Sequence, residues 1–188
     1  MTKFDTGTEL PDNFILTKEF EQTYKLIGSK LSKLLFDKST KLFVSNIGKD
    51  AIDKLKQEKI SFIEYDINSI FEQECDIVSP CALGGAINSV TKKKLKCKAI
   101  VGAANNQLDK PETAVWLKEN NIFYAPDYLV NSGGVIAISC EINDSKETLD
   151  EQLTKISDKV LLLLKESQKS SLSSDKIAEQ LAWERINS

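Results

Sequence analysis

Apolar positions change their period several times along this chain, and each change marks an element. From Thr17 to Phe36, apolar residues recur at Phe20, Tyr24, Ile27, Leu31 and Leu34, in steps of four and three. That spacing keeps one face of a helix apolar, with Thr17 placed to cap it. The short β-rich run "KLFVSN" (41–46) follows, then a helical stretch over 49–58 and the strand-like runs "ISFIEYD" and "CDIVSP". "TKKKLK" reads as a short helix capped by Thr91, and "KAIVGAANNQ" as a strand entering a Gly/Asn loop. In "PETAVWLKEN", Pro111 stands where a helix starts and Glu112 in its first turn. A proline there gives up an N–H that has no partner within the helix, and the carboxylate complements the helix dipole. "NIFYAPDY" is a strand running into a proline-containing loop, with a helix expected across Val130 to Glu141 and two more at about 147–168 and 173–187. Short apolar strands alternating with helices predict βαβ units, hence an α/β fold with a parallel sheet and helices on both faces. Residues 1–16 read as a polar lead-in and 17–188 as a single domain that includes the C-terminal helices 147–187.

Composition narrows the chemistry. The chain has 188 residues, 41% hydrophobic and 28% charged, which suits a soluble domain with a substantial core. A net charge of −3 argues against a nucleic-acid-binding face. No apolar run approaches the ~18 residues of a membrane span. The start "MTKFDTGTELPDN" has no hydrophobic segment to serve as a signal peptide, so a cytoplasmic location is expected. There is no histidine, which removes His-based acid/base chemistry, catalytic triads and the commonest metal ligand. The four cysteines (Cys75, Cys81, Cys97, Cys140) form no C-x-x-C pair, so free thiols and no metal site are expected. Lys92-Lys93-Lys94 reads as a solvated helix face.

Three strands end in similar loops: "DIV-SPCALGG", "AIV-GAANNQ" and "IFY-APDYLVNSGG". In an open parallel sheet these loops share one rim, at the carboxyl ends of the strands, where ligands bind. Their small residues would let a ligand approach the main chain, and Asn105, Asn106 and Asn131 could add amide donors and acceptors.

On these residues the chain resembles a known family. "CDIVSPCALGGAIN", "AIVGAANNQL", "YAPDYLVNSGGVI" and the tail "SSDKIAEQLAWERI" are similar to the nucleotide-binding domain of the glutamate, leucine, phenylalanine and valine dehydrogenases, over about residues 23–187. The resemblance implies a Rossmann-like domain, NAD or NADP as cofactor, and oxidative deamination of an L-amino acid. It places Cys81 and Ala82 along the nicotinamide side of the cofactor groove, and Asn105 and Asn131 as polar contacts near the nicotinamide and its ribose. It places Val135 and Ile138 in the amino-acid side-chain pocket. Both are apolar, which suits a branched or aliphatic side chain; plain helix–sheet packing is the alternative for this pair.

The departures from the family matter equally. Its catalytic lysines lie in an N-terminal domain, after a glycine run, and no such glycine–lysine motif occurs here. No catalytic residue is therefore assigned. Counting back from "KLFVSN", the family's G-x-G-x-x-G falls on "TYKLIG" (23–28), where only Gly28 remains. The preceding strand would be "KEFEQ", with Glu19 and Glu21 where a buried central strand should be apolar. The expectation is that the first strand and glycine-rich turn are lost or remodelled into one long helix. Asn46 stands where an acidic residue would hold the adenine ribose, and dinucleotide binding is expected to be weak or absent. Three functions are compatible with this pattern. The chain is a catalytically inactive relative acting as a binding or assembly partner, as a homo-oligomer or with a separate catalytic-domain chain. Alternatively, it is the nucleotide-binding half of a split dehydrogenase, or it is a decayed reading frame.

Overall fold

A computed structural model of the chain describes residues 13–18, 22–46, 49–82, 84–142 and 147–188, with the main chain alone for 13–18, 22–27, 46 and 49–51. The strands are β1 (Asn13–Lys18), β2 (Lys41–Asn46), β3 (Ile63–Glu64), β4 (Ile77–Pro80), β5 (Ala99–Ile100) and β6 (Phe123–Tyr124). The helices are α1 (Gln22–Asp37), α2 (Lys49–Gln57), α3 (Pro111–Glu119), α4 (Asp127–Val130), α5 (Gly133–Ile142), α6 (Leu149–Lys169) and α7 (Ser174–Ile186). The six strands form one sheet in the order β3-β2-β1-β4-β5-β6, and every pairing is parallel. The chain leaves β1 toward β2 on one side and later returns to β4 on the other. The strand order reverses there, creating the crevice in which α/β sheets of this kind bind ligands.

The first strand is not lost. It lies at "NFILTK", where Leu16 pairs with Val44 of β2 and with Ser79 of β4. Thr17, expected as a helix cap, is the penultimate residue of this strand. The physical reason is the unbroken apolar run Phe14-Ile15-Leu16, which a strand with neighbours on both sides requires. Residues 13–16 belong to the sheet rather than to a lead-in, while Phe20 and the rest of 19–21 lie outside the described residues. The inward face of α1 is also turned from the expected one. Leu31 and Leu35 pack on the core and Ser32 is buried, whereas Leu34 is 62% exposed.

Alternation along β2 divides the core between the two faces of the sheet. Leu42 and Val44 join Ile52 and Leu55 of α2 on one face; Phe43 joins Val78, Ile100 and Leu117 of α3 on the other. The short helix expected at Thr91 is a single 3-10 turn, Thr91–Lys94, and Thr91 does not cap it. Asn88 restrains its start instead, its Oδ1 accepting the N–H groups of Val90 (2.9 Å) and Thr91 (3.1 Å). The single helix expected over 130–141 is two, α4 and α5, separated at Asn131-Ser132. Among the described residues no helix is long and apolar enough to cross a membrane.

Candidate functional site

The three loops after β4, β5 and β6 lie on one rim and are tied to each other by main-chain and side-chain bonds. Loop one (81–89) meets loop two (101–109) where Gly85 N donates to Asn106 O (2.7 Å) and Ile87 N to Gln107 O (3.0 Å). Asp109 N returns a bond to Ile87 O (3.0 Å). Two glycines make this approach possible. A Cβ on Gly84 would lie 2.9 Å from Asn106 O, and one on Gly102 would lie 2.2 Å from Pro80 O. The space these glycines leave is filled by protein main chain. The small residues therefore have a packing reason that the sequence pattern had assigned to a ligand.

Loop two is joined to the β6–α4 junction by side chains. Asp127 Oδ2 accepts from Gln107 N (3.3 Å), and Asn131 Nδ2 donates to Asn105 Oδ1 (2.5 Å). The two asparagines expected as polar groups of one groove thus meet at the rim. Gln107 and Asp127 were not singled out in the sequence. Gln107 is fully buried, its Nε2 donating to Gly102 O (2.7 Å) and Ala104 O (3.0 Å), while its Oε1 has no hydrogen-bond partner. The one clue to them was their position, closing a Gly/Asn loop and opening a helix behind a proline.

The remaining expected residues are dispersed. Cys81 is fully buried, beside Ser79 Oγ at 3.4 Å and in the same cluster as Leu42 and Val44. Its thiol faces the core, so only its main chain could border a groove. Ala82 is buried next to it. Asn46 ends β2, opposite Lys18. Gly28 is the seventh residue of α1, buried, with its carbonyl accepting from Ser32 Oγ (2.8 Å). It therefore lies nearly two turns beyond the helix start, and Thr23 and Lys25 are helical as well. The connection from β1 to α1 consists of residues 19–21, Glu-Phe-Glu in sequence. Val135 and Ile138 are 73% and 58% exposed on α5, which rules out the helix–sheet packing alternative within this chain.

Among the described residues, the rim brings together the Asn105 and Asn131 amides and the Asp127 carboxylate. Burial pushes the Tyr124 phenol well above its usual value, with Asp127 adding to the effect, so it stays a neutral hydroxyl that accepts from Asp127 N (3.3 Å). Among the described residues, no cluster of three His, Cys, Asp or Glu could hold a metal ion.

Comparison with known proteins gives this rim its context. The family model for glutamate/leucine/phenylalanine/valine dehydrogenase matches residues 26–187. The leucine dehydrogenase of Thermoactinomyces intermedius is 38% identical over 162 residues, covering 85% of this chain and 44% of the relative. The phenylalanine dehydrogenase of Bacillus thermotolerans is 34% identical, covering 85% and 43%. The crystal structure of L-tryptophan dehydrogenase from Nostoc punctiforme superposes with a TM-score of 0.85 at 29% identity, covering 93% of this chain and 52% of that one. The hetero-hexameric glutamate dehydrogenase of Thermus thermophilus, solved with leucine bound, shares the fold with a TM-score of 0.70 at 18% identity, over 96% of this chain and 47% of that one. The chain thus spans less than half the length of these curated relatives. With the reversal of strand order, the three cross-braced loops and this match, the chain belongs to the glutamate/leucine/phenylalanine/valine dehydrogenase family.

Proposed function

We propose that this chain is a binding or assembly member of the amino-acid dehydrogenase family and does not turn over amino acids by itself. One observation carries the reading: only three residues separate β1 from α1, and in sequence they are Glu-Phe-Glu. A dinucleotide's pyrophosphate needs glycines at that crossing, so that its oxygens reach main-chain N–H groups at the helix start. In sequence that crossing has two acidic residues and no glycine, which argues against a bound pyrophosphate. Gly28 lies nearly two turns into α1 and Asn46 brings no carboxylate to a ribose, and both argue against NAD or NADP on this side of the crevice. Where the resemblance sets the nicotinamide, Asn105 and Asn131 are hydrogen-bonded to each other. Assembly is supported by α5, where Val135, Ile138 and Ile142 are 73%, 58% and 76% exposed and spaced to lie along one helix face.

The deciding experiment is titration with NADH, followed by thermal unfolding. A ligand at a hundredfold excess over its Kd stabilises the folded state by about 2.7 kcal/mol. Little or no shift is expected, together with no reduction of NAD or NADP in the presence of leucine or valine. A saturable shift of that size, or turnover, overturns the reading. A second reading, the nucleotide-binding half of a two-chain dehydrogenase, is favoured by the same exposed α5 stripe beside the intact amide pair. It requires that adding a chain with the family's catalytic lysines restore leucine- or valine-dependent reduction of the cofactor.

A further inference from the structure

At the opposite end of the sheet, two free thiols lie in register. Glu74 pairs with Lys96 in a parallel bridge, and Ile77 pairs with Ala99 where β4 meets β5. The same offset holds at both pairs, so Cys75 falls opposite Cys97. Main-chain bonds bracket the two residues: Cys75 N donates to Lys96 O (3.3 Å), and Lys98 N and Ala99 N both donate to Asp76 O (3.0 Å each). Cys75 and Cys97 stand two residues before β4 and β5, between two paired positions, so their main chains run side by side, and paired segments lie ~4.8 Å apart. That spacing is inside the ~4.4–6.8 Å between Cα atoms that a disulfide spans. Both side chains accordingly belong to one apolar cluster, Cys75 within it at 5% exposure and Cys97 half-buried at its margin.

We propose that Cys75 and Cys97 are a convertible dithiol, which a low-molecular-weight disulfide closes to a disulfide between the segments leading into β4 and β5. Cys97, the more exposed, enters first. Cys97 gives up its proton and its sulfur attacks one sulfur of oxidised glutathione, the glutathione S–S bond breaks, and the departing glutathione thiolate takes up a proton. Cys75 then gives up its proton and attacks the Cys97 sulfur, expelling the second glutathione. Two protein thiols are oxidised and one glutathione disulfide is reduced to two thiols. Burial pushes both thiols up to about 12, and the neighbouring Cys97 sulfur adds to the effect on Cys75. Both therefore rest as thiols, and closure depends on proximity rather than on a standing thiolate. The cross-link would enclose residues 76–96, which contain the whole of loop one. An oxidation at one end of the sheet would thereby restrain the rim at the other.

The test uses the folded full chain carrying Cys140→Ala, incubated with oxidised glutathione, then denatured, alkylated and peptide-mapped. The expected product has lost two hydrogens in mass and contains a Cys75–Cys97 cross-link, with Cys81 still alkylated and therefore reduced. Cys75→Ser should instead accumulate a glutathione adduct on Cys97, and Cys97→Ser should leave Cys75 unmodified. The map of the parent decides the proposal even if a variant fails to fold. Recovery of both thiols free, or of a Cys97 adduct that never closes, overturns it. A cross-link through Cys81 overturns it too, because Cys81 is fully buried and is reached only by unfolding.

Discussion

In Gly102→Ala, the added methyl would lie 2.2 Å from the carbonyl oxygen of Pro80 and 2.7 Å from its nitrogen. An ordinary carbon contact begins near 3.4 Å, so one of two main-chain segments must move by more than an ångström. Neither moves freely. Ala104 N donates to Pro80 O (3.0 Å), and Val101 N donates to Val78 O (3.0 Å) on the adjoining strand. Overpacking a filled site costs about 1–3 kcal/mol, and main chain on both sides places this substitution at about 3 kcal/mol. In a chain of this size each kcal/mol lowers the melting temperature by about 2–4 °C, so a fall of roughly 6–12 °C is expected. Gly134→Ala is the matched control. Nothing lies within 4 Å of its added Cβ, and removing a glycine's unfolded-state freedom should stabilise by at most about 0.4–1 kcal/mol. Urea and thermal unfolding of both variants decide the matter. If the rim glycines serve the approach of a ligand, Gly102→Ala should unfold with the parent and differ only in binding. An unchanged midpoint would therefore refute the packing account.

Gln107→Met leaves the carbonyls of Gly102 and Ala104 buried without their donor and should cost about 1–2 kcal/mol in urea unfolding; equal stability would show that the amide braces nothing. Thr148 and Glu151 form a reciprocal cap on α6, so Thr148→Ala should lose about 1 kcal/mol while Thr148→Ser keeps most of it. The Thr113 hydroxyl, donating to Asp109 Oδ1 at 2.6 Å, holds that carboxyl below its ordinary value of 3.8, with the N–H of Ser89 assisting. A depressed folded-state value gives stability that is fully present above 3.8 and lost as pH falls through the folded value. Asp109→Asn should therefore be less stable than the parent at neutral pH and converge with it in acid. Parallel curves at all pH would contradict the assignment.

The elements legible in the sequence were those whose signal is local. "KLFVSN" became β2 without change, because a strand flanked by helices shows its boundaries in composition. Pro111 opens α3, because a proline is suited to the first turn of a helix wherever it occurs. The three rim loops were visible as Gly/Asn runs following apolar strands. The first strand shows only three apolar residues directly before a helical spacing, a run too short for periodicity to identify. Only pairing with β2 and β4 on either side selects Asn13–Lys18.

The local order of strands, helices and small-residue loops was thus determined by the sequence itself, and with it the family resemblance, since each is written in contiguous residues. What those residues face was decided by tertiary structure. Gly84 and Gly102 are glycines because the main chain of another segment lies against them, and Cys81 is buried because it packs with Leu42 and Val44 of β2. Asn105 meets Asn131 across two loops, and Cys75 meets Cys97 across two adjoining segments. Each of these depends on the register between segments 20 or more residues apart in the chain. Register is set by the packing of a whole sheet face, which no local window of the sequence contains.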